Sequence, residues 1–220
     1  MKVKTLVSWS SGKDSAWALH LARQNPSMEI EGIFTVVNER FNRISMHGVR
    51  IELLSIQADA IGLPLKIIKI PDPCSDLQYE SIMKKFIEDE RSDGVECLVF
   101  GDISLLDVRN YRENQLKGTG IFPIFPLWGR PGRRLVKEML SEGLKAIITC
   151  IDSRKLSHPY AGTLLTTDII DELPEMVDPC GENGEYHTFV VDGPMFSRPI
   201  DVRVGEIVER DGLIFADLLL

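Results

Sequence analysis

The sequence has few cysteines, fewer basic than acidic residues, and no long apolar run. Its four cysteines among 220 residues form no C-x-x-C pair, which gives no support to a structural zinc site or a thioredoxin-type redox motif. With 25 basic and 33 acidic residues the formal charge is -8, so a large nucleic-acid footprint is not expected unless charge is strongly segregated. No stretch approaches the length of a membrane span, and the N-terminus has no signal-peptide layout, so we expect a cytoplasmic protein.

Apolar runs of strand length alternate with segments of helical periodicity over the first part of the chain. Strands separated by helices predict right-handed crossovers and a sheet that is covered on both faces. We therefore predict an α/β protein whose residues 1–151 form a doubly wound, mainly parallel five-stranded sheet. From residue 152 the rhythm changes to polar and strand-like pieces, which predict a smaller C-terminal α+β lobe over residues 152–220, with a role in substrate binding.

A turn of small and polar residues joins the first predicted strand to the first predicted helix. It consists of Ser10, Ser11, Gly12, Lys13, Asp14 and Ser15. The backbone amides of such a turn and the helix N-terminus favour an anion, Lys13 adds a positive charge, and the hydroxyls add donors. Asp14 beside a phosphate is explained if Mg²⁺ lies between them. Ordinary helix capping by Ser11 or Asp14 is the alternative.

A glycine–aspartate pair that ends the fourth predicted strand provides a second piece of the same site. The turn of residues 10–15 fits neither the Walker A pattern nor the G-x-G-x-x-G pattern, so a dinucleotide-binding fold is disfavoured. In doubly wound sheets, ligands bind beyond the carboxyl ends of the strands. Gly101 and Asp102 are therefore expected to face the same ligand as residues 10–15.

A second polar cluster lies near the C-terminus. Its members are Gly181, Glu182, Asn183, Glu185 and His187. If Tyr186 begins a strand, Glu185 and His187 share one face, where a carboxylate and an imidazole could manage protons or orient an amine nucleophile. The alternative is a glycine-rich turn with solvated polar side chains.

Two cations, His47 and Arg50, lie just before or at the start of the second predicted helix. A cation at a helix N-terminus opposes the helix dipole, and an anionic ligand nearby would remove that objection. Contact with a phosphate or a substrate carboxylate is therefore one hypothesis. A solvated loop is the other.

These motifs together resemble those of a known family. Residues 10–15 resemble the S-G-G-x-D-S loop (PP-loop) of the N-type ATP pyrophosphatases, with Ser11 in place of the usual second glycine. Residues 181–186 resemble the G-E-x-G-E-[FY] signature of the diphthine–ammonia ligase family, a branch of that group. Residues 46–50, 101–103, 111–112 and 126–129 also resemble family blocks, so the similarity spans nearly the whole chain and implies a HUP-type, Rossmann-like fold.

The resemblance implies amide formation in the cytoplasm, with ATP and Mg²⁺ as cofactors. A carboxylate would attack the α-phosphate of ATP to give an acyl-adenylate and pyrophosphate, and ammonia would then displace AMP. The implied ATP-binding residues are Ser10, Ser11, Gly12, Lys13, Asp14, Ser15, Phe34, Thr35, Val36, Gly101 and Asp102. The implied catalytic residues are Lys13, Asp14 (also the Mg²⁺ contact), Glu182, Glu185 and His187. The implied acceptor-side residues are His47, Arg50, Gly181, Glu182, Asn183, Glu185 and His187.

The partners expected from the resemblance are ATP, ammonium and a carboxylate acceptor, either a small molecule or a modified protein side chain. Whether the protein forms a homodimer is left open. Residues 46–48 and 180–182 resemble short bacterial members, which would use a carboxylic acid other than diphthine, a modified histidine of a translation elongation factor. Two other functions stay open. The protein could be a PP-loop ATPase that acts on another acceptor, as in tRNA thiolation, or a non-catalytic sensor that binds ATP or AMP.

Overall fold

A parallel sheet with helices on both faces forms the first part of the fold. The structure is a computed structural model that describes residues 2–39, 43–44 and 49–220. The strands of this sheet are β1 (Val3–Ser8), β2 (Met28–Asn38), β3 (Arg43–Ile44), β4 (Leu65–Ile70), β5 (Cys97–Val99) and β6 (Phe122–Ile124). All of them pair in parallel except the two-residue β3, which pairs antiparallel with β2. The predicted five-stranded, mainly parallel sheet is confirmed.

The order of the parallel strands determines where a ligand can bind. β2 lies between β4 and β1, and β5 lies between β1 and β6. The chain therefore winds outward in one direction from β1 and later in the other, which leaves a crevice beyond the carboxyl ends of β1 and β5.

Helices cover this sheet on two faces. The α-helices that the structure describes are α1 (Lys13–Gln24), α2 (Ile51–Ile61), α3 (Asp76–Ser92), α4 (Leu106–Leu116), α5 (Gly132–Ser141) and α6 (Thr167–Glu172), of which α6 packs on α5. Successive residues of a strand point to opposite faces. Accordingly Val7 belongs to the same core cluster as Trp17 of α1, while its neighbour Leu6 belongs to the cluster that contains Met83 of α3. Burial on both faces explains why consecutive residues in the centres of these strands are apolar, as in residues 6–7, 33–34 and 97–99.

Local sequence signals set two of the helix ends. Ser75 caps α3, because its hydroxyl accepts from the backbone N of Gln78 at 3.3 Å and its own N donates to the Gln78 side chain at 3.0 Å. This reciprocal pair is a capping box. Gly62 ends α2 with a left-handed φ of 70°, the conformation that glycine adopts without a steric penalty.

A separate antiparallel sheet forms the C-terminal lobe, which confirms the predicted smaller α+β unit. Its strands are β7 (Lys145–Asp152), β8 (Tyr186–Asp192), β9 (Arg203–Arg210) and β10 (Leu213–Leu219), in the order β8-β7-β10-β9. The boundary predicted from the sequence, between residues 151 and 152, placed the apolar run that forms β7 in the first unit. In the structure β7 pairs with β8 and β10 of this second sheet. An apolar run does not reveal which sheet will receive it.

The helices bear on whether the chain could span a membrane. Within residues 2–39, 43–44 and 49–220, none is both long enough and apolar enough to cross a membrane.

Candidate functional site

A pocket of about 210 Å³ lies beyond the carboxyl ends of β1 and β5. Its lining residues are Ser8, Ser10, Gly12, Lys13, Asp14, Ser15, Phe100, Gly101, Asp102, Arg112, Cys180, Gly181, Glu182, Tyr186, His187 and Thr188. The fold thus brings the turn of residues 10–15, the end of β5 and the C-terminal cluster to one place.

The turn of residues 10–15 contains a residue in a left-handed conformation. Ser11 is fully buried and has a φ of 71°. This conformation costs a residue with a Cβ about 1–2 kcal/mol, which explains why the resembling family has glycine there. The Ser11 carbonyl accepts from the backbone N of Val190 at 2.9 Å and from Gln57 Nε2 at 3.1 Å. These two hydrogen bonds hold the strained turn in place.

Gln57 is a buried polar residue that supports the turn and that sequence reasoning missed. It is fully buried on α2, and its Nε2 also donates to the Val190 carbonyl at 2.8 Å, while its Oε1 accepts from Trp9 Nε1 at 2.8 Å. The signal was present, because Gln57 lies one turn after Leu53 on the apolar face of the helix. Gln57 links the end of β1, the turn and β8.

The first turn of α1 is hydrogen-bonded to the C-terminal lobe. The backbone N of Lys13 donates to Thr188 Oγ1 at 3.1 Å. The Lys13 ammonium donates to Asp14 Oδ2 at 2.9 Å and to the Cys180 carbonyl, and lies 4.9 Å from the centre of the Tyr186 ring. Burial alone would lower the pKa of Lys13, but its interactions with Asp14, Tyr186 and Cys180 together outweigh burial and raise the pKa. Lys13 is therefore a buried cation.

Asp14 contributes a carboxylate with one unpaired oxygen. Burial raises its pKa, which Lys13 opposes and Glu182 and Asp178 reinforce. Asp14 Oδ1 is buried and has no hydrogen-bond partner among the described residues. A carboxylate oxygen is the ligand type that Mg²⁺ prefers, usually with phosphate oxygens and water completing the shell. Among described residues no three His, Cys, Asp or Glu side chains form a metal-binding group, so Mg²⁺ here would depend on a bound phosphate.

The end of β5 packs directly against the first turn of α1. A Cβ on Gly101 would lie 2.9 Å from the carbonyl carbon of Asp14 and 2.9 Å from the backbone N of Ser15. Only glycine permits this approach. The next residue, Asp102, has a buried Oδ2 with no hydrogen-bond partner among the described residues. Burial raises the pKa of Asp102, opposed by Arg112 and reinforced by Glu182.

Glu182 joins the C-terminal lobe to the segment that follows β5. Its Oε2 accepts from the backbone N of Ile103 at 3.2 Å and from that of Ser104 at 3.0 Å. The sequence assigned Glu182 to catalysis and to the acceptor side. The structure places it at the pocket wall with this oxygen bound to two backbone amides.

Glu185 stabilises the turn that precedes β8. It is buried and accepts from the backbone N of Asn183 at 2.9 Å, from Asn183 Nδ2 at 3.2 Å and from the backbone N of Asp178 at 3.3 Å. Burial favours a higher pKa, but these N–H groups and Lys155 outweigh it and lower the pKa of Glu185. Neither Glu185 nor Asn183 lines the pocket.

His187 lines the pocket from β8. Burial lowers its pKa to about 4, the nearby charge of Lys13 contributes, and Glu185 opposes the shift. His187 is therefore uncharged at neutral pH.

The stability of the protein is expected to depend on pH through His187. Between the unfolded pKa near 6.5 and the folded pKa of about 4, the unfolded chain binds more protons than the folded one. The free energy of unfolding should therefore fall as pH falls through this window. His187→Gln should remove a loss on the order of 2 kcal/mol, measured by urea denaturation at several pH values. His158→Gln, which replaces an exposed histidine, is the control. Equal slopes for wild type and both variants would contradict a neutral, buried His187.

Other residues assigned from the sequence lie apart from the pocket lining. Phe34, Thr35 and Val36 lie on β2 beside the carboxyl end of β1, where Phe34 pairs with Ser8, but none of the three lines the pocket. The Phe34 ring lies edge-on to the ring of Phe100, a lining residue, with 6.2 Å between ring centres. Arg50 binds Asp217 of β10, with 3.1 Å between Nε and Oδ1. His47 lies outside the described residues. The assignment of these residues to adenine or acceptor stays a prediction.

Several lining residues were not assigned from the sequence. They are Ser8, Phe100, Arg112, Cys180, Tyr186 and Thr188. Most are neighbours in sequence of assigned residues, but strand periodicity places Thr188 on the face of β8 opposite His187, so the assignment of His187 did not extend to it. Arg112 lies inside α4 and gave no local signal beyond its match to a family block.

The fold and the site define an α/β protein of the Rossmann-like, nucleotide-binding class. Residues 1–121 match the family model of the diphthamide synthase N-terminal domain, and residues 132–214 match that of the C-terminal domain. The chain belongs to the diphthamide synthase family.

Full-length similarity to curated proteins agrees with this membership. The chain is 34% identical to a diphthine–ammonia ligase of Rattus norvegicus over an alignment of 238 residues, gaps included. The alignment covers 98% of the chain and 88% of the relative. The chain is 27% identical to the diphthine–ammonia ligase of Homo sapiens, with the same two coverages. The diphthine–ammonia ligase of Schizosaccharomyces pombe is 28% identical over 96% of the chain but only 37% of its own length.

Proposed function

We propose that this protein is an ATP-dependent carboxylate–ammonia ligase that forms AMP and pyrophosphate. The observation that carries this proposal is the meeting, in one pocket, of the turn at the N-terminus of α1 with the C-terminal block of residues 180–188. The turn suits the phosphates of ATP. Relatives named diphthine–ammonia ligases support ammonia and a carboxylate as the other substrates.

The proposed reaction has two displacements. A carboxylate oxygen of the acceptor attacks the α-phosphorus, the bond to the oxygen that bridges the α- and β-phosphates breaks, and pyrophosphate leaves with the electron pair. The nitrogen of ammonia then attacks the acyl carbon, AMP leaves, and the nitrogen loses a proton. Negative charge grows on pyrophosphate in the first step, where the amides of the turn and the Lys13 cation stabilise it without reorganisation of solvent.

Mg²⁺ fits this pocket beside Asp14, whose Oδ1 lacks a partner among the described residues. When bound, the ion would offset phosphate charge and so favour departure of pyrophosphate. Asp14 is the residue that would hold it.

On the acceptor side, His187 is the member of the C-terminal block best placed to contact ammonia, because it lines the pocket and is uncharged at neutral pH. Its neutral imidazole can donate or accept a hydrogen bond. Glu182 and Glu185 act here by shaping the wall, through their bonds to backbone N–H groups.

The proposal predicts that AMP and pyrophosphate form from ATP only when Mg²⁺ and a suitable carboxylic acid are present, and that turnover rises with ammonium. The assay is a screen of carboxylate metabolites, together with elongation factor carrying diphthine, in which AMP is quantified by chromatography. Reactions without ammonium and without acid are the controls. ATP binding with no AMP from any acceptor would contradict the ligase and favour a nucleotide sensor.

The alternative of tRNA thiolation requires a reactive thiol, and the pocket offers Cys180. Burial raises the pKa of Cys180 to about 12, so this sulfur is a thiol rather than a thiolate and is poorly suited to attack. Loss of all AMP formation in Cys180→Ala or Cys74→Ala would nevertheless favour thiolation over amide ligation.

A further inference from the structure

Arg112 on α4 is a pocket-lining cation with an unused donor. Its guanidinium lies over the Phe100 ring, with 4.9 Å from Cζ to the ring centre, and its Nε is 3.9 Å from Asp102 Oδ2. That separation is too long for a hydrogen bond. Nε is buried and has no hydrogen-bond partner among the described residues. A buried donor without an acceptor costs free energy, which points to an acceptor that a ligand supplies.

The guanidinium lines the same pocket as the N-terminus of α1. Gly101 packs directly against Asp14 and Ser15, at a spacing that leaves no room for a Cβ. Asp102 is the next residue along the chain, and Arg112 lies beside it. An anion seated on the first turn of α1 would therefore have Arg112 as a near neighbour on the side of β5.

The charges of the pocket indicate that an anion bound there needs the Arg112 cation. The lining carries three carboxylates, Asp14, Asp102 and Glu182, and two strong cations, Lys13 and Arg112. Lys13 already donates to Asp14 and to the Cys180 carbonyl. No hydrogen bond within the described part of the chain involves the Arg112 guanidinium, so its planar set of donors is available to an oxyanion.

We propose that Arg112 binds the α-phosphate of the nucleotide, the phosphate that ATP and AMP share. This inference rests on the proposed function, in which the turn of residues 10–15 takes the pyrophosphate part of ATP. The α-phosphate then lies one phosphate further from the turn, toward Asp102 and Arg112. A guanidinium can bind two of its non-bridging oxygens and stabilise the charge on them while the acceptor carboxylate approaches.

Calorimetric binding to the full-length chain tests this assignment, with AMP, ATP, adenosine and pyrophosphate as ligands in the presence of Mg²⁺. For Arg112→Met, the Kd for AMP and for ATP should rise about tenfold or more, which is the effect of losing charged hydrogen bonds. Arg112→Lys should show a smaller rise, because it keeps the charge without the planar fork. The affinities for adenosine and pyrophosphate should be unchanged in both variants.

Arg109→Met is the matched control. Arg109 lies one turn earlier on α4 and also stacks on aromatic rings, with 4.7 Å from its Cζ to the centre of Trp128. It pairs with Glu113 and does not line the pocket. Its replacement should leave all four affinities unchanged.

The possible outcomes separate the two proposals. A wild-type chain that binds none of the four ligands would refute the proposed function. Wild-type nucleotide binding with unchanged AMP affinity in the Arg112 variants would overturn only the Arg112 assignment. The assignment is also overturned if pyrophosphate or adenosine affinity falls as much as AMP affinity, since the change would then affect the whole pocket. A defect confined to acceptor-dependent turnover would overturn it too, in favour of the acceptor carboxylate.

Discussion

Asp14→Asn is expected to lower the rate of pyrophosphate release by about 10²–10³-fold, the range for loss of one preorganised electrostatic contact. The amide has nearly the same shape, but it removes the negative charge from the buried position beside Lys13. It also removes the charged oxygen that would hold Mg²⁺ against the phosphates. The measurement is a continuous pyrophosphate assay at saturating ATP, with Mg²⁺ varied.

A second first-turn aspartate serves as the control. Asp76 occupies the first turn of α3 and is exposed, so Asp76→Asn makes the same chemical change away from the pocket and should leave the rate unchanged. Retention of near wild-type release in Asp14→Asn would refute the role of Asp14 in metal and phosphate binding. Urea denaturation of both variants establishes that a lost rate is not a lost fold.

Gly181→Ala should lower the free energy of unfolding by about 2–5 kcal/mol, because it combines backbone strain with overpacking. Gly181 has a left-handed φ of 71°. A Cβ there would lie 2.6 Å from the carbonyl oxygen of Tyr186, which belongs to β8 and has no freedom to withdraw. Urea denaturation monitored by tryptophan fluorescence gives the change, and AMP formation should fall with it.

Gly184 separates the two causes. Its φ of 76° is nearly the same, but a Cβ there would meet nothing within 4 Å. Gly184→Ala should therefore cost only the strain, about 1–2 kcal/mol. Equal losses of stability in the two variants would contradict the close contact between residue 181 and Tyr186.

The parts of the fold that depend on local sequence could be predicted. The alternation of apolar strands and amphipathic helices defined the parallel sheet, because burial on both faces demands continuous apolar runs. Ser75 and Gly62 marked helix ends by capping chemistry that acts within a few residues. The membership of β7 in the second sheet could not be foreseen, since pairing partners are chosen by tertiary packing.

The candidate site was predicted where topology alone brings residues together. The turn and Gly101 meet because the carboxyl ends of neighbouring parallel strands share an edge. The partners of charged side chains were less accessible, because strand periodicity gives a face but not the atom that lies opposite. Glu182 binds backbone amides after β5, and Arg50 binds Asp217. Both contacts join segments far apart in the chain.

The hydrogen bonds between the turn of residues 10–15 and β8 also bear on how the protein is made. The Ser11 carbonyl and the Lys13 amide find their partners on Val190 and Thr188, which are synthesised some 175 residues later. During translation the turn leaves the ribosome before these partners are made, and it lacks them until β8 has been synthesised. A nascent chain should therefore complete this turn only after β8 has emerged, and a fragment that ends before β8 should not form it.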